Sequence, residues 1–201
     1  MKTVIVYAHP QTPGHCPEIL KEVEAYHKEH GIEYELLDLY KMKYDPVLHE
    51  NEHYTAGEGH WDVSKENKRI RQLILDNNKL IFIYPVWWNS MPAVLKGFID
   101  KVFTAHFAFK FVTMPVISKI MGGIPRPLLK GKKAVVFLTT GSNWIAWWFF
   151  LRRRARKLML TDILGFFGIK ARVYHLGSCR IVDEGRILKI KKMVAKGLAG
   201  F

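Results

Sequence analysis

Three short segments hold the residues best equipped to grip a ligand. The first is His9-Pro10-Gln11-Thr12-Pro13-Gly14-His15-Cys16, a run of turn formers leading into a helical pattern. Such a run leaves backbone N–H groups free to meet a phosphate where the helix begins. The second is Pro85-Val86-Trp87-Trp88-Asn89-Ser90-Met91-Pro92. Two adjacent indoles between prolines make a stiff aromatic loop suited to lying against a flat heterocycle. One of these two tryptophans is expected to be an ordinary core aromatic. The third is Thr140-Gly141-Ser142-Asn143, preceded by Thr139, a small polar turn able to aim N–H groups at the polar edge of a ring. Neither G-x-x-x-x-G-K-[ST] nor G-x-G-x-x-G occurs, so neither an ATPase loop nor a dinucleotide fingerprint is supported.

Other reactive side chains have plainer readings. His9 has a plain reading as a strand-end histidine, and its place among the three segments favours a phosphate role. Cys16 beside His15 has the makings of an activated thiol, but no third group is placed to orient the base, and a packed small hydrophobe is the simpler reading. His49, His53 and His60 have a spacing open to a transition metal, yet they fall in a polar stretch without helical period, and no metal is expected.

Five apolar runs can position the three segments. Residues 3–8 (TVIVYA), 80–84 (LIFIY) and 134–139 (AVVFLT) are continuously apolar and rich in β-branched or aromatic residues, the pattern of parallel strands buried on both faces. Residues 33–39 and 171–176 alternate more and suit edge strands. Helical patterns cover residues 17–30, 65–76, 92–103 and 184–198, the third with Pro92 at its first position. A longer helical stretch, with breaks at positions the pattern leaves open, covers about 144 to 167. The alternation predicts an α/β, doubly wound, five-stranded parallel sheet of flavodoxin-like order 2-1-3-4-5 in one domain, residues 1–201. Such sheets bind ligands beyond the carboxyl ends of their strands, where all three segments lie. One phosphate grip and two grips on a planar ring describe a flavin nucleotide site.

The longest apolar run, 144–151, is far short of the ~20 residues a bilayer span needs. Residues 3–8 are too short for the core of a signal peptide, and two cysteines, Cys16 and Cys179, are too few for a disulfide framework; a cytoplasmic setting is expected. The charge is lopsided. Residues 1–100 carry 11 Lys/Arg against 15 Asp/Glu, and residues 101–201 carry 20 against 3, giving +13 for the chain. The basic half calls for an anionic partner. Within it, the segment 144–157 (WIAWWFFLRRRARK) has three readings: a buried helix end with a solvated basic face, a peripheral contact with an acidic membrane, or an arginine site for the 2′-phosphate of NADPH.

The run PVWWNSMPAVLKGFIDKVF, residues 85–103, resembles the NAD(P)H:quinone oxidoreductase family of flavodoxin-like flavoproteins. Ala8-His9-Pro10, LTTG at 138–141, LLDLY at 36–40 and YDPVL at 44–48 resemble it too. The resemblance implies that His9, Gly14, His15 and Cys16 hold the flavin phosphate, and that Pro85, Val86, Trp87, Trp88, Asn89, Thr139, Thr140, Gly141 and Ser142 lie beside the isoalloxazine. It implies FMN or FAD as cofactor and NAD(P)H as co-substrate, with ping-pong, two-electron reduction of a quinone-like acceptor. It also implies a homodimer in which Phe109 and Phe111, from the segment 107–111, line the partner's pocket. The sequence departs from the family pattern at Gly14 and Cys16, where Ser and Asn are usual, and at Ser142, where a second Gly is usual. The mammalian Tyr and His above the flavin have no clear counterparts.

Two other functions compete with this one. A non-enzymatic flavin module would be an electron carrier or an accessory subunit of a transporter; flavodoxin carriers are acidic, and this chain is basic. A nucleic-acid binder would use the net charge, but no binding motif organises the cations, and no nucleic-acid partner is expected.

Overall fold

A computed structural model describes residues 2–53, 63–113, 123–143 and 145–201. Five parallel strands form the central sheet: β1 (Thr3–Tyr7), β2 (Tyr34–Asp38), β3 (Lys79–Pro85), β6 (Lys133–Thr139) and β7 (Lys170–Leu176), in the order β2-β1-β3-β6-β7. Without the hairpin described below, this is the predicted 2-1-3-4-5. β1 is buried throughout, and β3 and β6 are buried beyond their first residues. Both of their faces are covered, which is why their sequences are continuously apolar.

Alternate residues serve two separate cores. Ile5, Ile81, Ile83, Val135 and Phe137 pack under helices α1 (His15–Glu29) and α5 (Glu184–Leu198), through Ile19, Val23, Ile190 and Val194. Val4, Val6, Leu80, Phe82 and Val136 face α2 (Lys65–Asp76), α3 (Ala93–Val102) and the 145–167 segment, through Ile70, Ile74, Leu95, Phe98 and Met159. Truncating a ring such as Phe137 to alanine in so dense a core costs about 3–5 kcal/mol. Helix starts follow local chemistry. Ser64 accepts from the Asn67 amide at 3.1 Å and Asp183 from the Arg186 amide at 2.7 Å, satisfying orphan donors of α2 and α5. Pro92, expected inside α3, stands just before it because its ψ of 148° is extended.

Gly97 and Lys101 of α3 tie the run 85–103 to the YDPVL segment. A Cβ on Gly97 would stand 2.1 Å from the Pro46 carbonyl oxygen, so only glycine lets the two backbones meet. One turn on, the buried Lys101 ammonium donates to the Val47 carbonyl at 2.8 Å and pairs with Glu52 at 2.8 Å. The part of the polar excursion within residues 41–53 is thereby fastened to α3.

One pair of strands departs from the sequence reading, and the breaks left open in the long helical stretch are located. β4 (Phe109–Val112) and β5 (Ile124–Pro127) form a separate antiparallel pair; Pro125 and Pro127 disguise β5, since proline is rare in paired strands. Within residues 145–167 the helical stretch is broken, as the pattern allows. Residues Ala146–Phe150 and Leu158–Gly165 wind with the wider π pitch around a four-residue α-turn, α4 (Arg154–Lys157). The break falls at Arg152 and Arg153, both left-handed with φ of 48° and 52°. Among the described residues, no helix is long and apolar enough to cross a membrane.

Candidate functional site

The turns leaving β1, β3 and β6 meet at one cavity of 340 Å³, as expected at the carboxyl edge of the sheet. Its floor at the β1 end is the start of α1. The first helical bond there runs from the Glu18 amide to the Gly14 carbonyl at 3.1 Å, so the amides of His15 and Cys16 precede the ladder and sit at its electropositive end. Gly14 is extended, and a Cβ there would make only ordinary contact, 3.5 Å from Pro17. His15 is buried, and its Nε2 has no hydrogen-bond partner among the described residues. Burial and then the Arg186 cation hold its pKa below the usual imidazole value, against an opposing bond to the Ile181 backbone. His9 bends back on its own turn, with Nδ1 2.9 Å from the Gln11 carbonyl oxygen, and its ring lies 6.5 Å from that of Trp87.

Cys16 is 1% exposed, with Sγ 3.2 Å from Thr139 Oγ1, and burial pushes its thiol up to about 12. At neutral pH it is a protonated packing group that closes the cavity floor, not a nucleophile.

After β3 the chain makes a tight reversal. Trp87 and Ser90 exchange backbone hydrogen bonds of 3.0 and 2.9 Å around Trp88 and Asn89, both left-handed with φ of 50° and 61°. This is the primed turn normally reserved for Asn-Gly. The expectation that one indole is a core aromatic is corrected: Trp87 is 42% exposed and Trp88 is 100% exposed. Both ride on a turn that projects from the sheet edge. Pro85, Val86 and Trp87 line the cavity, and Trp88 and Asn89 stand outside it.

The turn after β6 is the most heavily braced. Thr140 Oγ1 is 2.7 Å from His175 Nε2, Ser142 Oγ donates to Thr140 Oγ1 at 3.2 Å, and the Ser178 and Cys179 amides donate to the Ser142 and Thr140 carbonyls at 2.8 and 2.9 Å. Gly177 makes this possible, since a Cβ there would stand 2.8 Å from the Ser142 carbonyl oxygen. His175 in turn stacks on buried Trp147 at 4.1 Å, and burial lowers its pKa to about 4. It is therefore neutral at physiological pH. Beyond Gly141 a Cβ would meet nothing within 4 Å.

A fourth turn, after β7, was missed by the sequence reading. Cys179 and Arg180 line the same cavity, and the Arg186 guanidinium donates to the Ser178 carbonyl. The signal was available, because GSCR follows a strand at the same edge of the sheet. The two phenylalanines expected to line a partner subunit's pocket lie away from this cavity within one chain. Phe109 packs edge-on against Phe111 and Phe166 at 5.6 and 5.0 Å, and it lines a separate cavity of 410 Å³ with Leu48, Ile99 and Phe103. That cavity shares no lining residue with the first. The His49, His53, His60 spacing cannot be followed, since His60 lies outside the described residues; no metal-binding cluster occurs among those described.

The profile of the flavodoxin-like fold family matches residues 1–185, and the chain belongs to that family. Within it, this chain is similar to proteins named for nicotinamide-linked redox chemistry. A Haemophilus influenzae protein named as an uncharacterized NAD(P)H oxidoreductase is 27% identical over 92% of this chain and 87% of its own length. Human ribosyldihydronicotinamide dehydrogenase (quinone) is 32% identical over 71% of this chain, a match that spans 64% of the human protein. Among solved structures, Smu.1420 of Streptococcus mutans superposes with a TM-score of 0.78 at 31% identity, covering 98% of this chain and 97% of its own. An FMN-dependent NADH-azoreductase of Bacillus anthracis, solved with FMN, shares the fold with a TM-score of 0.67 at 16% identity, covering 100% of this chain and 99% of its own.

Proposed function

We propose that the protein is a flavin-dependent NAD(P)H:quinone oxidoreductase, with FMN favoured over FAD, acting on a quinone or related flat aromatic acceptor. The observation that carries this reading is the convergence of four turns on one cavity, with a helix N-terminus at one side and an indole and bare polar backbone at the other. The unpartnered His15 Nε2 and the open space beyond Gly141 both suit a bound nucleotide. The volume of 340 Å³ falls within the ~300–1,000 Å³ typical of ligand sites.

In this reading the amides of His15 and Cys16, with His15 Nε2 and Arg180, hold the phosphate. Val86 and Trp87 give the ring its apolar wall, and the amides of Gly141, Ser142 and Asn143 meet its polar edge, the Thr140 amide being taken by the Leu176 carbonyl at 3.0 Å. Trp88 and Asn89 hold the turn rather than touch the ring. A bound flavin supplies two-electron hydride chemistry between a nicotinamide and an acceptor. The net reaction is NAD(P)H + H⁺ + quinone → NAD(P)⁺ + hydroquinone, with the two substrates using one slot in turn. The chain's part is positional: the bracing at Thr140 keeps the N–H groups of residues 141–143 aimed without reorganisation. We place Phe109 and Phe111 over the slot of a second copy in a homodimer, since within one chain they do not reach the cradle.

The test is direct. Purified protein should carry a yellow chromophore, identified as FMN after acid release, that bleaches on anaerobic NAD(P)H addition and recovers with a quinone. A colourless protein that takes up neither FMN nor FAD overturns the reading. Sedimentation velocity checks the dimer.

A further inference from the structure

The rim of the cradle is unusually apolar for a surface that meets water. Trp87, Trp88, Ile145, Trp148, Phe149 and Ile181 are all exposed, Phe149 at 71%. All six lie in segments leaving the carboxyl ends of β3, β6 and β7, on the edge that opens the cavity. The segment 145–157 concentrates the effect. Trp148 is 51% exposed and lies under the Arg153 guanidinium, 3.7 Å from its ring centre. Arg152, Arg154 and Lys157 are exposed beside it, and among the described residues no acidic side chain pairs with any of them. No Asp or Glu occurs between Asp100 and Asp162. The left-handed backbone at Arg152 and Arg153 costs about 1–2 kcal/mol per residue.

Indole and phenyl rings beside unpaired guanidinium groups match the boundary between lipid headgroups and acyl chains, where aromatic rings partition and phosphates accept from arginine. A second copy of this chain fits less well. A two-fold contact through this segment would set one cationic cluster against its own image. We propose that residues 145–157 dock the protein on an anionic phospholipid surface, with Trp148 and Phe149 at headgroup depth and the arginines on lipid phosphates. The docking is independent of whether the cradle carries flavin, so its failure and the failure of the redox reading are read separately.

The experiment is flotation of the whole protein with phosphatidylcholine vesicles containing ~30 mol% phosphatidylglycerol, beside vesicles of phosphatidylcholine alone. Binding is expected only to the anionic vesicles and is lost at high salt. Arg152→Gln with Arg154→Gln should weaken it roughly 30-fold, from about a fivefold loss per cation. Trp148→Ser with Phe149→Ser should weaken it by tenfold or more, on the order of the apolar area withdrawn. Both variants should melt with the parent and reduce a water-soluble quinone at its rate. Absence of flotation, or equal flotation on neutral vesicles, overturns the proposal. So does either pair of substitutions splitting a dimer into monomers, which would give the face to a second copy. A raised KM for NADPH with vesicle binding intact would move the arginines to the nucleotide and overturn it equally.

Discussion

Replacing His175 by leucine tests whether the turn at Thr140 is held from behind. The imidazole makes one hydrogen bond of 2.7 Å to Thr140 Oγ1 and one stack of 4.1 Å on Trp147. A partly buried hydrogen bond contributes about 1 kcal/mol net, and a stacked aromatic pair contributes about as much beyond its buried area. His175→Leu should therefore lower the stability of the flavin-free protein by about 2 kcal/mol, or roughly 4–8 °C in Tm for a chain of this length. His175→Gln can keep an amide on Thr140 and should recover about half of that loss. The pH dependence supplies a second readout. The folded imidazole titrates at about 4 because of burial, against an ordinary value of 6.5. Between those values the unfolded chain binds a proton that the folded chain refuses. The stability is complete above pH 6.5 and is lost as pH falls towards 4. His15 and His27 are also lowered by burial and act with the same sign, so the informative quantity is the difference between parent and variant. Solvent reaches part of His175, which leaves about 1 kcal/mol of pH-dependent difference between pH 7.5 and 5. Urea titrations at pH 7.5 and 5 measure it. Equal melting of parent and His175→Leu, or an unchanged pH slope, would refute the bracing argument.

Four further outcomes follow from the same geometry. Trp87→Ala should weaken FMN binding by about tenfold, through loss of a stacking surface, while Trp88→Ala leaves it unchanged; flavin fluorescence quenching distinguishes them. Trp88→Gly should raise stability by about 1 kcal/mol by relieving a left-handed residue, seen as a higher urea midpoint. Gly97→Ala should lower stability by about 3 kcal/mol, because the Pro46 carbonyl must retreat along with the backbone that carries it; chemical denaturation would read this. Cys16 should resist alkylation in the native protein at pH 8 and react only on unfolding, as peptide mass mapping would record.

Much of this architecture could be read from the residues because the physics is local. Runs such as LIFIY are apolar throughout only where a strand is covered on both sides, and three such runs with helices between them leave few ways to order a sheet. The site was legible to the same depth, since its turns follow strands at one edge. What escaped depends on partners distant in sequence. Trp88 is thrown into water by a turn whose type is set by backbone bonds between Trp87 and Ser90, and nothing in the pair Trp-Trp announces it. β5 is a strand only because β4 lies beside it, against the preference of its two prolines. His175 reads as an edge-strand residue until Thr140 and Trp147 are brought to it. Arg180 became visible once the β7 turn was seen bonded to the β6 turn.

Lys101 has a consequence for how the molecule breathes. Residues 45–52 contain one short 3-10 turn and little else of regular form, and by composition they would pass for a pliable surface strap. Yet their oxygens converge on a single ammonium shielded from water, so the strap cannot lift without stranding that charge. Amide protons there should exchange with the slow class of the helices, and a protease offered the folded protein should cut elsewhere first.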